Sequence, residues 1–132
     1  MNLYADIILD LWRNPQNFGE LGDYDFEAFE LNPLCGDEVK IQLKLKKANG
    51  RQLIFDCKFT GDGCAISVAA ASMLTEYAKG KRLIGVAKLT DKDVISLLGI
   101  EIGPQRIKCA ILPLIALKKA IANSNEKIES PN

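Results

Sequence analysis

The chain has 132 residues, with 17 Lys plus Arg balancing 17 Asp plus Glu, four cysteines and no histidine. That length suits a single domain, which buries roughly two-thirds of its unfolded surface and needs no disulfides to hold together. Balanced charge argues against a nucleic-acid binder, whose footprint is a clustered excess of positive charge.

The opening Met1–Trp12 is apolar but carries Asp6 and Asp10 and lacks a basic start, so it does not read as a signal peptide. No stretch reads as a membrane span, and a cytoplasmic protein is expected. In a reducing compartment cysteines are more often metal ligands, nucleophiles or buried thiols than disulfide partners. Leu3, Ile7, Ile8, Leu11 and Trp12 recur at helical spacing, predicting an amphipathic helix over 3–13. Asn14-Pro15 stops it, because the residue before proline is pushed out of the helical region.

Tyr24–Leu31 is a weak strand signal. Glu38–Lys47 is a strong one, with Val39, Ile41, Leu43 and Leu45 opposite Lys40, Gln42, Lys44 and Lys46. Lys44, Lys46 and Lys47 read as its solvated face. Asn49-Gly50 forms a hairpin turn, since both residues tolerate positive φ. Gln52–Thr60 returns with Leu53, Phe55, Cys57 and Phe59 expected on one face, which assigns Cys57 to core packing. The pair is a half-buried antiparallel sheet.

From Cys64 the pattern turns helical, with small residues at Ala65, Ala69, Ala70, Ala71 and Ser72 and a stop at Gly80. Thr90 caps a short helix through about Leu98. Pro104 opens another helix. Pro113 predicts a break near 112 and a second helix from Pro113 to about Ala122, since a helix-interior proline removes a backbone donor. The polar stretch 123–132 reads as a frayed tail beyond a single domain over 1–122. Pattern alone gives an α+β fold: a small antiparallel sheet with helices on one face.

Three cysteine contexts stand out: Leu34-Cys35-Gly36-Asp37, Gly61-Asp62-Gly63-Cys64 and Arg106-Ile107-Lys108-Cys109. Three thiols and a carboxylate suit zinc or an iron–sulfur cluster, because thiolate is the soft ligand both prefer. Gly36 allows a tight turn between Cys35 and Asp37, and Gly61 and Gly63 do the same before Cys64. Cys64 stands near a helix N-terminus, where the dipole favours negative charge. Asp62 reads as a turn residue, and Lys108 and Arg106 as charges able to offset a negative site. A carboxylate holds soft metals less firmly than a fourth thiolate would. Asp37 is therefore expected to keep the site labile, and Asp37→Ala or Asp37→Cys to slow release of a bound cluster.

At these motifs the chain resembles the iron–sulfur cluster scaffold family of the IscU, SufU and NifU N-terminal type, nearly end to end. The matching residues run from Leu3-Tyr4 and Asn14-Pro15-Gln16-Asn17 through Asn32-Pro33-Leu34-Cys35-Gly36-Asp37. They continue through Gly63-Cys64, Ala71-Ser72-Met73-Leu74-Thr75-Glu76 and Lys79-Gly80-Lys81 to Cys109-Ala110-Ile111-Leu112 and Ala116-Leu117-Lys118-Lys119-Ala120. The resemblance implies a three-stranded antiparallel sheet packed against about five helices. It implies Cys35, Asp37, Cys64 and Cys109 as ligands of a transient [2Fe–2S] cluster or of Zn2+.

It implies a scaffold that takes persulfide sulfur from a cysteine desulfurase, accepts iron, and passes the cluster to apo iron–sulfur proteins. The alternative is a SufU-type zinc-dependent sulfurtransferase, with Cys35 as the persulfide acceptor. Lys108 and Arg106 match the SufU branch, whereas the short stretch from Lys81 to Arg106 matches IscU. The chaperone-recognition motif of IscU is only faintly echoed by Ile102-Gly103-Pro104-Gln105-Arg106, so delivery through a dedicated Hsp70 is not implied.

Overall fold

The computed structural model describes residues 3–34 and 36–129. Helix α1 (Leu3–Arg13) precedes three strands, β1 (Phe26–Leu31), β2 (Glu38–Ala48) and β3 (Arg51–Asp62). Four helices follow: α2 (Ala65–Ala78), α3 (Leu83–Ala87), α4 (Asp91–Leu98) and α5 (Pro104–Glu129). The strands form one antiparallel sheet in the order β1-β2-β3.

Val39, Ile41 and Leu43 of β2 bury their side chains beneath α2 and α5, together with Cys57 and Phe59 of β3. The alternation expected along β3 does not persist to its start. A register shift pairs Lys44 with Asp56 but Leu45 with Ile54, leaving Phe55 as an extra residue on β3. Such a bulge reverses which side chains face the core. Ile54 is thus fully buried while Phe55 is 62 % exposed. On the opposite face Gln42 is buried although it shares β2 with lysines. Its Oε1 accepts from Leu21 N–H at 2.8 Å and its Nε2 donates to Glu27 at 3.0 Å, because the 14–25 connection folds across that face.

The small residues of α2 have a definite use. Ser72 Oγ accepts from Gln16 N–H at 2.8 Å, and Asn17 donates to Thr75 Oγ1 at 3.1 Å. Asn17 C=O and Gly19 N–H then bond to the Phe59 backbone, closing the outer edge of β3. Ala69, Ala70 and Ala71 are fully buried, so the helix comes close to its neighbours on several sides. Thr90 forms a capping box with Asp93 at the start of α4, and Gly99 closes that helix in the left-handed conformation.

The break expected at Pro113 is absent. One helix runs from Pro104 to Glu129 with Pro113 inside it, and the polar stretch after 122 continues it to Glu129. A proline within a helix costs about 3 kcal/mol. Here Leu112, Leu114, Leu117, Ala120 and Ile121 bury against the sheet and α2. Each large apolar side chain so buried contributes about 1.5–3 kcal/mol, which outweighs the proline. Five helices are present, as the resemblance implies: α3 is one for which the sequence carries no stated signal, and α5 stands where two helices were expected.

Candidate metal centre

Asp37, Cys64 and Cys109 converge at one end of the sheet, the first two from loops and the third from a helix. Asp37 closes the β1–β2 connection, which Asn32 organises. Asn32 Oδ1 accepts from Leu34 N–H at 3.0 Å, its C=O accepts from Gly36 N–H at 2.8 Å, and its N–H donates to Asp37 C=O at 2.8 Å. Gly36 takes φ +77°, the left-handed conformation that glycine adopts without strain. Asn32-Pro33 is the visible sequence cue for this turn, but the role of Asn32 in aiming Asp37 escaped the sequence reading.

The second loop leaves β3 and enters α2. A Cβ at Gly61 would stand 2.2 Å from Glu38 O, and one at Gly63 would stand 3.2 Å from the Asp37 carboxyl carbon. The two glycines therefore let the backbone slide against the Asp37 segment. Cys64 is the N-cap of α2 and is half-buried. Its N–H donates to Asp37 Oδ1 at 3.3 Å. Cys109 comes from the second turn of α5 and is buried.

A carboxylate oxygen of Asp37 and the Sγ atoms of Cys64 and Cys109 all lie within 4.8 Å of one another. Cys35 lies outside the described residues. Asp62, expected as a turn residue, is instead the last residue of β3, paired with Glu38; it is exposed and does not belong to the cluster. Asp37 Oδ2 is buried with no donor among the described residues. Buried polar atoms nearly always have a partner. An orphaned carboxylate oxygen beside two sulfurs is a donor set that a cation completes.

The electrostatics agree with that reading. Burial first, then the Cys64 thiol and the Asp37 carboxylate, push the Cys109 thiol up to about 12. Without a cation Cys109 holds its proton at neutral pH, whereas coordination deprotonates a thiol outright. Lys108 and Arg106 are both exposed, and neither pairs with a carboxylate among the described residues. Lys108 instead lines an open groove of about 460 Å³ with Asn32, Leu34, Pro104 and Gln105, and this groove reaches Cys109. Leu34, 80 % exposed, stands at its side.

Cys57, by contrast, is fully buried among core side chains, and burial pushes its thiol up to about 12. It is a packing residue, as its strand position predicted.

A three-stranded antiparallel sheet covered by helices, with an Asp/Cys/Cys cluster at one end, defines a class of small metal- or cluster-handling α+β domains. The chain belongs to the family of the NifU-like N-terminal domain, whose model matches residues 3–130. It is 35 % identical over 137 residues to the zinc-dependent sulfurtransferase SufU of Bacillus subtilis, covering 91 % of this chain and 90 % of that protein. It is 37 % identical over 130 residues to the iron–sulfur cluster assembly scaffold protein IscU 1 of Archaeoglobus fulgidus, covering 96 % of this chain and 82 % of that one. Among solved structures, a candidate cluster-assembly scaffold of the SUF system from Fervidobacterium islandicum superposes with a TM-score of 0.68. It is 26 % identical, and the match covers 88 % of this chain and 94 % of that one. Among the described residues no helix is long and apolar enough to cross a membrane.

Proposed function

We propose that this chain is an assembly scaffold that builds a [2Fe–2S] cluster on Cys35, Asp37, Cys64 and Cys109 and then releases it to apo-proteins. The observation that carries the reading is the meeting of Asp37, Cys64 and Cys109 with a carboxylate oxygen left unpartnered. Soft thiolates bind the iron, and the carboxylate is the weakest of the four ligands, the one from which a cluster detaches most readily. Asp37→Cys is therefore expected to slow transfer.

Sulfur enters as a persulfide. A thiolate of the chain, Cys35 in this reading, attacks the outer sulfur of the desulfurase persulfide, and the desulfurase cysteine leaves as thiolate. Reduction of that sulfur to sulfide draws electrons from a donor other than this chain. The open groove that reaches Cys109 supports approach of the desulfurase persulfide to this end of the sheet. A cysteine desulfurase and apo iron–sulfur proteins are the partners the reading requires.

The zinc-dependent sulfurtransferase is the second reading, favoured by Lys108, Arg106 and the similarity to the Bacillus protein. The alignment with that protein runs to 137 residues, longer than the 132 of this chain, so the relative holds residues this chain lacks. The short Lys81–Arg106 stretch, which resembles the IscU branch, favours the scaffold.

Mixing anaerobic protein with a cysteine desulfurase, cysteine and ferrous iron separates the two. Sulfide-to-iron absorption that grows and then moves to an apo-acceptor supports the scaffold. Retained zinc, no cluster and faster desulfurase turnover would replace it with the sulfurtransferase.

A further inference from the structure

The net charge of zero conceals a strong segregation. Residues 39–55 hold Lys40, Lys44, Lys46, Lys47 and Arg51, and residues 77–90 hold Lys79, Lys81, Arg82 and Lys88, with no acid in either stretch. More than half of the chain's 17 cations therefore lie in two short segments. The fold joins them. Gly80 N–H donates to Ile54 C=O at 2.7 Å, Ile54 N–H donates to Lys81 C=O at 2.9 Å, and Leu53 bridges to Arg82. Lys40, Lys44 and Lys79 have acid partners. Lys46 and Lys81 lie over the Phe55 and Tyr77 rings. Arg51 and Arg82 make no ion pair among the described residues.

Those two arginines rim one cavity of about 410 Å³. That size falls within the range of small-ligand clefts, about 300–1,000 Å³. Its remaining walls are Leu83, Ile84, Ala87 and Ile121, with Gln52 beside the arginines. Ile84 is 58 % exposed although it is a large apolar side chain. Gln52 Oε1 is buried with no donor among the described residues. No acid lines the cavity. It belongs to the opposite end of the sheet from the metal centre: Ile121 lies about 18 Å beyond Cys109 along α5, at about 1.5 Å per residue.

The wall makes three separate demands. Two guanidinium groups ask for an anion, ideally a planar carboxylate that can take paired N–H donors. Gln52 lines the same cavity, and its Oε1, without a donor among the described residues, gains one from a ligand N–H when the side chain turns toward it. The aliphatic wall asks for an apolar side chain. Inorganic phosphate answers only the first, and a fatty acid answers the first and third. The last residue of a polypeptide answers all three, with its carboxylate, its amide N–H and its side chain, a known mode of terminal capture.

We propose that this cavity is a second binding site, which takes the C-terminal carboxylate of a partner polypeptide ending in an apolar residue. The surrounding lysines draw an acidic terminus toward it, and the two arginines orient it. The site is independent of the metal centre and of what that centre carries.

The test is a titration of the full ¹⁵N-labelled chain followed by amide shifts, with N-acetyl-leucinate as probe. Saturable shifts of Arg51, Gln52, Arg82 and Ile84 are expected, with Cys109 unmoved. N-acetyl-leucinamide, octanoate and phosphate are each expected to bind about tenfold more weakly, roughly the worth of one charge-assisted hydrogen bond. Arg51→Ala and Arg82→Ala should each lose about tenfold, while Arg82→Lys, which keeps the charge but not the fork, loses less. Unshifted signals elsewhere report that each variant is folded. Equal binding of the amide, octanoate or phosphate would overturn the proposal, as would shifts centred elsewhere or none at tens of millimolar.

Discussion

Replacing Asp37 with asparagine should move the stability of the empty and metal-loaded protein in opposite directions. Asparagine keeps the shape of the side chain and its Oδ1, which accepts from Cys64 N–H at 3.3 Å. It exchanges the donorless, buried Oδ2 for an amide able to donate to the neighbouring sulfurs. A buried polar group without a partner costs about 1–3 kcal/mol. Removing most of that cost should stabilise the metal-free protein by about 1–2 kcal/mol, a rise in melting temperature of about 4–8 °C for a domain of this size. The loaded protein should respond the other way. A ligand at a hundredfold excess over its Kd stabilises by about 2.7 kcal/mol. Loss of a direct ligand costs at least the about ten- to hundredfold typical of outer-shell partners, and a hundredfold loss leaves about 0.4 kcal/mol. Melts recorded with chelator and with zinc at fixed excess, for wild type and Asp37→Asn, read both quantities. A lower melting temperature in chelator, or an undiminished zinc increment, would show that Asp37 is an ordinary satisfied carboxylate and not a ligand.

Gly61→Ala should destabilise by about 2–5 kcal/mol in urea titration, from positive-φ strain plus overpacking against Glu38 O, a backbone atom with nowhere to go. A loss below 1 kcal/mol would mean the strands separate easily there. The raised thiol of Cys57 makes stability pH-dependent at the alkaline end. Its folded value, about 12, lies above the ordinary thiol value of 9.0. The unfolded chain therefore releases this proton first, and stability complete below pH 9 falls by about 1.4 kcal/mol per unit up to about pH 12. Cys57→Ala should remove that part of the slope, and an unchanged profile between pH 9 and 11 would refute the assignment. Pro113→Ala should stabilise by about 1 kcal/mol. It restores an N–H for the Cys109 carbonyl, worth up to about 3 kcal/mol in propensity, against about 1–2 kcal/mol for the void left by a fully buried ring. A calorimetric loss of stability would show that the ring's packing dominates.

The elements that were legible in advance are those with a strong local signal. The 3.6-residue period of α1, the alternation of β2, Asn49-Gly50 and the Thr90 cap each state their structure over a few residues. The misreadings share one cause, which is that long-range packing decides between local options of similar energy. Phe55 and Ile54 are equally apolar, and only the pairing of Lys44 with Asp56 and of Leu45 with Ile54 determines which enters the core. Pro113 argues locally for a break, yet apolar burial on both sides of it holds one helix. At the metal centre the residue types and glycines were visible, but the burial of Asp37 and its unpartnered oxygen were not.

From the sequence alone came the family resemblance, the α+β class and the set of soft ligands, because residue type dictates metal preference and period dictates the element. Tertiary structure alone decided that Asp37, Cys64 and Cys109 meet within one ion's reach, and that Lys108 lines the groove that reaches Cys109. It also decided that two arginines 31 positions apart share a cavity. Convergence of this kind depends on strand register and helix placement, which are set by contacts between residues far apart in the chain and leave no local trace in it.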